Sequence, residues 1–193
     1  MPDESWPLVQ LPGSERAPLE GVMPAGSVNP SERAELTLVL RRRAGLPAEI
    51  VEGPTVLTSD KLAERYGGDP ADVDLVRHAL TSRGLEITAV DPATRRIKVA
   101  GSLGDLSSVF GVTLQQVTSP DPAGRGTVRH RYREGPLFVP AALDGVVTAV
   151  LGLDTRPQAR PHFRPGADAQ GTSYPPNQVA DSGRPRYSSS SGT

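Results

Sequence analysis

The hydrophobic pattern of residues 35 to 118 switches repeatedly between two periods, and the order of the switches admits few folds. In "AELTLVLRRR", Leu36, Leu38 and Leu40 alternate with Glu35, Thr37 and Val39, the repeat of a strand with one buried face. "TSDKLAERYGG" offers Ser59 as the cap of a short helix with Leu62, Ala63 and Tyr66 on one side. "GDPADVDLVRHALTSRGL" follows with Asp69 as cap, Pro70 at the first helical position, a stripe of Val73, Val76, Ala79 and Leu80, and Gly84 as the stop. "LEITAV" and "RRIKVAG" flank "DPAT" and alternate again, which predicts a hairpin. "SLGDLSSVFG" predicts a helix capped by Ser102, with Leu103, Leu106, Val109 and Phe110 inward and Gly111 at its end, and "VTLQQV" predicts a further strand. The order strand, helix, strand, strand, helix, strand is the split β-α-β arrangement. The expected fold class is therefore α+β, a ferredoxin-like antiparallel sheet with helices on one face.

Two more segments carry a pattern. "TVRHRYREG" sets Val128, His130 and Tyr132 against arginines and predicts an edge strand whose charge discourages stray pairing. "VPAALDGVVTAVLGLD" places Pro140 before Leu143, Val146, Val147, Val150 and Leu151 at helical spacing, which predicts an amphipathic helix. Outside these the chain is punctuated by its 20 prolines and 20 glycines, above average usage, which points to unstructured tails. Residues 1–33 read as an extended arm that wraps the domain or lies free, and residues 34–154 as the folded domain. Thr155 to Pro165 is a proline-studded stretch expected to be extended without partners of its own. The end, from 172 to 193, reads as a disordered, low-complexity tail.

Charge and composition remove several functions. With 21 basic and 22 acidic side chains the net charge is -1, so no polyanion or membrane surface is favoured as partner. The absence of cysteine removes disulfides and zinc-thiolate sites. The first residues, "MPDESWPLVQLPG", show no ordinary secretory signal, and no apolar run approaches the ~20 residues of a membrane span. His78, His130 and His162 lack metal-ligand spacing and are expected to be scattered on the surface. Arg41 to Arg43 read as a solvated strand end, "DPAD" at 69 to 72 as a helix cap rather than a catalytic pair, and "GTS" at 171 to 173 as linker. RNA recognition would need stacking aromatics on the central strands, residues 35 to 41 and 96 to 100, and neither has one.

Five stretches, "LPGSERAPL" (11–19), "LAERYGGDPADVDLVRHALTSRGL" (62–85), "VFGV" (109–112), "REGPLFVP" (133–140) and "VLGLDTRPQARPHFR" (150–164), together resemble one family. They are similar to the activation domain of kumamolisin-type sedolisins, the S53 serine-carboxyl peptidases. The resemblance implies a subtilisin-propeptide-like fold, a folding chaperone, and a cleft-blocking inhibitor removed by autoprocessing at acid pH. It implies a secreted parent protein whose partner is an S53 catalytic domain, in cis or in trans, with no nucleic acid or membrane involved. The Glu, Asp and Ser of that family's active site have no counterpart in this chain, so the chain itself is expected not to be an enzyme. No cofactor is expected in it either, since the family's Ca2+ belongs to the catalytic domain. "TSYPPNQVAD" (172–181) resembles the start of a mature enzyme, after which the pattern is lost and the sequence reads as truncated.

On this reading the stretch 155–171 is a substrate-like linker, since a protease cleft binds extended chain by strand-like pairing with pockets for alternate side chains. Arg156, Pro157, Arg160, Pro161, His162, Phe163 and Arg164 are its expected cleft-binding residues. Bonds to a proline nitrogen resist cutting, which leaves His162-Phe163 and Phe163-Arg164 as the expected processing sites. Two other readings stay open: a free-standing protease inhibitor, and an unrelated ferredoxin-like binding module.

Overall fold

The computed structural model describes residues 7–157 apart from 55, 123 and 125. The elements run β1 (Leu8–Gln10), β2 (Met23–Pro24), β3 (Arg33–Leu40), α1 (Ala48–Val51), α2 (Ser59–Tyr66), α3 (Pro70–Thr81), β4 (Glu86–Asp91) and β5 (Arg96–Ser102). After them come α4 (Leu103–Val109), β6 (Gln115–Pro120), β7 (Thr127–Tyr132), β8 (Phe138–Pro140), a 3-10 turn (Ala141–Leu143) and β9 (Val147–Leu151). The main sheet has the order β4-β5-β3-β9 and every adjacent pair is antiparallel. The α+β class, the ferredoxin-like order and the central position of β3 and β5 all agree with the periodicity of the sequence.

One face of this sheet forms the core. Leu36, Leu38 and Leu40 of β3, Ile97 and Val99 of β5, and Val147 and Val150 of β9 meet Val73, Val76, Ala79 and Leu80 of α3 and Leu103, Leu106 and Val109 of α4. Both packed helices start as their caps predict. The Asp69 carboxylate accepts from the Ala71 N–H at 2.9 Å, and the Ser102 hydroxyl accepts from the Asp105 N–H at 3.1 Å. The cap of α2 is Thr58 rather than Ser59, and only Tyr66 of that helix is buried.

The fourth strand is where sequence and structure part. Val147–Leu151, expected as part of a helix, is strand β9 on the outer edge of β3, and "VTLQQV" does not join this sheet. The helical spacing of Val147 and Val150 has a definite origin. Val39 pairs with Ala149 but Leu40 pairs with Val147, so Thr148 is a bulge residue and its hydroxyl donates to the Val39 carbonyl at 3.1 Å. An extra residue reverses the alternation, so side chains three apart reach the same face. Glycines bound the segment, and its β-branched residues suit a pleated surface better than a helix. Gly152, at φ +104°, ends β9 in a conformation that strains any other residue, and a Cβ there would lie 3.3 Å from the Glu35 carbonyl oxygen. Gly152→Val is expected to cost about 1–3 kcal/mol of stability, read as a lower midpoint in urea.

β6 instead pairs with β7, from Gln115 opposite Tyr132 to Pro120 opposite Thr127, and β2 lies on the other side of β6. β7 is an edge strand, as its arginines suggested. The N-terminal arm wraps the domain: β1 pairs with β8, Arg16 bridges to Gly135, and β2 pairs with β6.

Candidate peptidase-docking surface and linker exit

The face of the main sheet opposite α3 and α4 is uncovered among the described residues. Glu35, Thr37 and Val39 of β3, Arg96 and Lys98 of β5, Ala89 and Asp91 of β4 and Leu151 of β9 point to it. Leu151 is half exposed, and with Thr37, Ala89, Asp91, Arg96 and Lys98 it lines a shallow hollow of about 410 Å³. Charged and polar side chains of the two central strands thus lie between an exposed Leu151 at one edge and Ala89 at the other, a mixed polar and apolar surface open to a partner. Lys98 donates to Glu35 at 2.8 Å and the Thr88 hydroxyl to the same carboxylate at 2.8 Å. These bonds, Lys98 first, hold Glu35 below the usual carboxylate range.

Two residues past Leu151 the chain leaves the core at the buried Leu153 and meets a dense polar cluster. The Asp154 carboxylate is 3% exposed and the Arg156 guanidinium side chain 10%. Arg156 donates from its backbone N–H to Asp154 Oδ1 at 2.9 Å, from Nε to Oδ2 at 2.8 Å, and from Nη2 to Oδ2 at 2.6 Å. Nη2 also donates to the Arg133 carbonyl at 2.6 Å and Nη1 to the Ala17 carbonyl at 3.3 Å. The guanidinium carbon stands 4.7 Å above the centre of the Tyr132 ring. The Tyr132 hydroxyl donates to Glu134 at 2.6 Å and accepts from the Leu19 N–H at 3.0 Å. The Arg133 side chain, itself buried, donates to the carbonyls of Gly135 at 2.6 Å and Ser14 at 2.8 Å.

Burial alone would raise the Asp154 carboxyl, but the side-chain and backbone hydrogen bonds from Arg156, its charge, and the Arg133 N–H outweigh that and hold it below the ordinary value near 3.8. The folded-state value lies below the unfolded one. Its stabilisation is therefore complete above the ordinary aspartate range and lost only as pH falls through the lower value.

Of the expected linker residues the structure describes Arg156 and Pro157, while Arg160, Pro161, His162, Phe163 and Arg164 lie outside the described residues. The start of this stretch does have partners, contrary to the expectation from its prolines. The Thr155 N–H donates to the Arg131 carbonyl at 3.0 Å, and the Arg131 N–H donates to the Thr155 hydroxyl at 3.0 Å. Arg156 itself is turned into the domain. The only sequence sign of this is the spacing Asp154-Thr155-Arg156, in which an aspartate reaches a backbone N–H two residues on.

Three other assignments change in the fold. His130, on β7 opposite Val117 of β6, is buried rather than on the surface, and its Nε2 has no partner. Arg41 does not end a free strand: it makes a two-pronged pair with Asp72 at 2.7 and 2.8 Å, so Asp72 of "DPAD" is structural. Arg43 donates to the Gly68 carbonyl at 2.7 Å. Among the described residues no group of histidine and carboxylate side chains is arranged to hold a metal ion, and no helix is long and apolar enough to cross a membrane.

Comparison with known proteins agrees with this architecture. The family described as Pro-kumamolisin, activation domain, matches residues 53–156, from before α2 to the Arg156 cluster. Kumamolisin from Bacillus sp. (strain MN-32) is 30% identical over 190 aligned residues, which cover 88% of this chain and 33% of the relative. The chain thus spans about a third of the length of that relative. A split β-α-β sheet that runs straight into an anchored exit segment, matched over most of its folded length, places this chain in the pro-kumamolisin activation-domain family, the pro-domains of S53 peptidases.

Proposed function

We propose that this chain is the chaperone and inhibitor of an S53 peptidase catalytic domain, in cis within a precursor or in trans. The open sheet face packs on the catalytic domain, and the stretch that begins at Pro157 enters its cleft as an extended, substrate-like peptide. The observation that carries this reading is the pairing of an uncovered, half-apolar sheet face with an exit segment that starts immediately after its edge strand. A surface and a tethered peptide then act as two linked ligands, and linkage raises the effective concentration of the peptide at the cleft to about millimolar without new contacts.

The same reading extends to the remaining roles. Arg160, Pro161, His162, Phe163 and Arg164 supply the cleft contacts, and autoprocessing cuts at His162-Phe163 or Phe163-Arg164. The prolines shield the neighbouring bonds and reduce the entropy lost on docking. At acid pH the carboxylates of the interface protonate, their ion pairs fail, and the chain is released. Hydrolysis, Ca2+ and the catalytic Glu, Asp and Ser belong to the partner, and the pair acts outside the cell.

Leu151→Asp tests the docking face. Leu151, on the edge strand β9, is the large apolar side chain exposed on the face, so the change leaves the core intact. It is expected to weaken inhibition of an S53 catalytic domain by about 30-fold or more, as burying a charge in place of an apolar anchor does, while the thermal midpoint moves little. Unchanged inhibition would remove this face from the interface.

A further inference from the structure

We propose that Arg156 is a positioning residue: with Asp154 it forms a clamp that fixes the place and direction in which the substrate-like peptide leaves the domain. The proposal rests on the inhibitor reading above and adds to it the part of the chain that sets the register of the peptide.

Three chain segments that are distant in sequence meet at this guanidinium. The N-terminal arm supplies the Ala17 carbonyl, the end of β7 and the residue after it supply the Tyr132 ring and the Arg133 carbonyl, and the exit segment supplies Asp154 Oδ2, whose partner Oδ1 takes the Arg156 backbone N–H. Arginine is required for this geometry. Its planar fork serves a carboxylate and two carbonyls at once while one face lies on an aromatic ring, which the three donors of a lysine ammonium on a flexible stem do not reproduce. Next to it, Arg131 donates from Nε to the Leu153 carbonyl at 3.4 Å and from Nη2 to the Gly152 carbonyl at 3.1 Å, and its Nη1 pairs with Glu32 at 3.2 Å. Consecutive residues 152 to 156 are thereby fixed through their backbone or carboxylate groups.

The clamp lies outside the hydrophobic core, whose last member is Leu153. Its contacts are with backbone carbonyls of the exit and of the elements beside it, so loosening it frees the exit without opening the core. A ligand held in its bound direction loses less freedom on docking than a free one. The clamp thus separates two contributions that the sequence alone merges: Arg156 aims the peptide, and the residues beyond Pro157 fill the cleft.

The test uses the full 193-residue chain and the variants Arg156→Ala, Arg156→Lys and Asp154→Asn. Amide hydrogen exchange at Thr155 and Arg156 reads the clamp directly. Inhibition of the mature Bacillus kumamolisin, with mass mapping of the bonds it cuts in the chain, reads the positioning. All three variants are expected to stay folded at the assay temperature with a lower thermal midpoint, since each leaves a buried polar partner unsatisfied, to exchange at these two amides at least tenfold faster, and to inhibit tenfold or more weakly. Cuts are expected to spread from one bond to several, a change that a purely structural residue would not cause. Protection unchanged in Arg156→Ala, or lost while inhibition and cut sites stay as in the parent, overturns the clamp and leaves the inhibitor reading standing. A parent chain that neither inhibits nor is cut overturns both.

Discussion

Leu38→Ala is expected to lower the free energy of unfolding by about 2–5 kcal/mol, the range for deleting a fully buried leucine when the surroundings cannot collapse into the cavity. Leu38 is 0% exposed on β3, the strand that carries both β5 and β9. Its side chain sits where the sheet meets α3 and α4, and backbone pairing on both sides prevents β3 from moving in to fill the space. A domain of this size has only about 5–15 kcal/mol in hand, so a large share of the stability depends on one side chain. Urea denaturation followed by circular dichroism measures it: a shift of midpoint at unchanged slope is the expected result. A loss below about 1 kcal/mol would mean that the site repacks or that β3 is not the centre of the core.

Removal of the exit peptide is expected to have the largest functional effect. A chain that stops at Pro157 keeps the whole described domain, including the Arg156 clamp and the open sheet face, yet is expected to inhibit an S53 catalytic domain about 100- to 10,000-fold more weakly, the range of gain from linking two modest ligands. The two halves supplied as separate molecules should not restore potency, because the gain lies in the tether rather than in any contact. The comparison of inhibition constants for the full and shortened chains decides it. Equal constants would assign all the binding to the sheet face and none to the peptide.

What could be read from the sequence, and what could not, follows from the range of the interactions. The caps at Asp69 and Ser102, the stripes of α3 and α4 and the alternation of β3 and β5 are local, and the structure agrees with each, whereas in β4 a bulge between Ile87 and Ala89 turns Ala89 to the open face and brings Val90 to the core instead. β9 was misread because its bulge at Thr148 depends on how β3 pairs with it, more than a hundred positions away in the chain. With Val147 and Val150 brought to one face by that bulge, the local pattern imitates a helix. Once β9 takes the free edge of β3, the place beside β3 expected for β6 is filled, and β6 pairs with β7. Arg41 was misjudged, and the contacts of Arg156 within the domain went unread, for a related reason. An arginine at a strand end reads as solvated and one among prolines as part of an extended peptide, and only the fold brings Asp72 to the first and the Tyr132 ring and Ala17 carbonyl to the second. His130 likewise sits within an arginine-rich strand whose inward face became clear only from its pairing with Val117. The sequence pointed to an arginine-proline peptide beside a small folded domain. The anchoring of that peptide to the domain was not legible in it.

The most direct test of the account is whether the chain occupies a peptidase cleft. Hydrolysis of a peptide substrate by a mature S53 catalytic domain, followed at several substrate concentrations with increasing amounts of the intact chain, measures this. The account predicts competitive inhibition, with KM rising and kcat unchanged, that disappears as the peptide beyond Pro157 is cut. A chain that binds the catalytic domain and leaves hydrolysis untouched, or lowers kcat without raising KM, would contradict it.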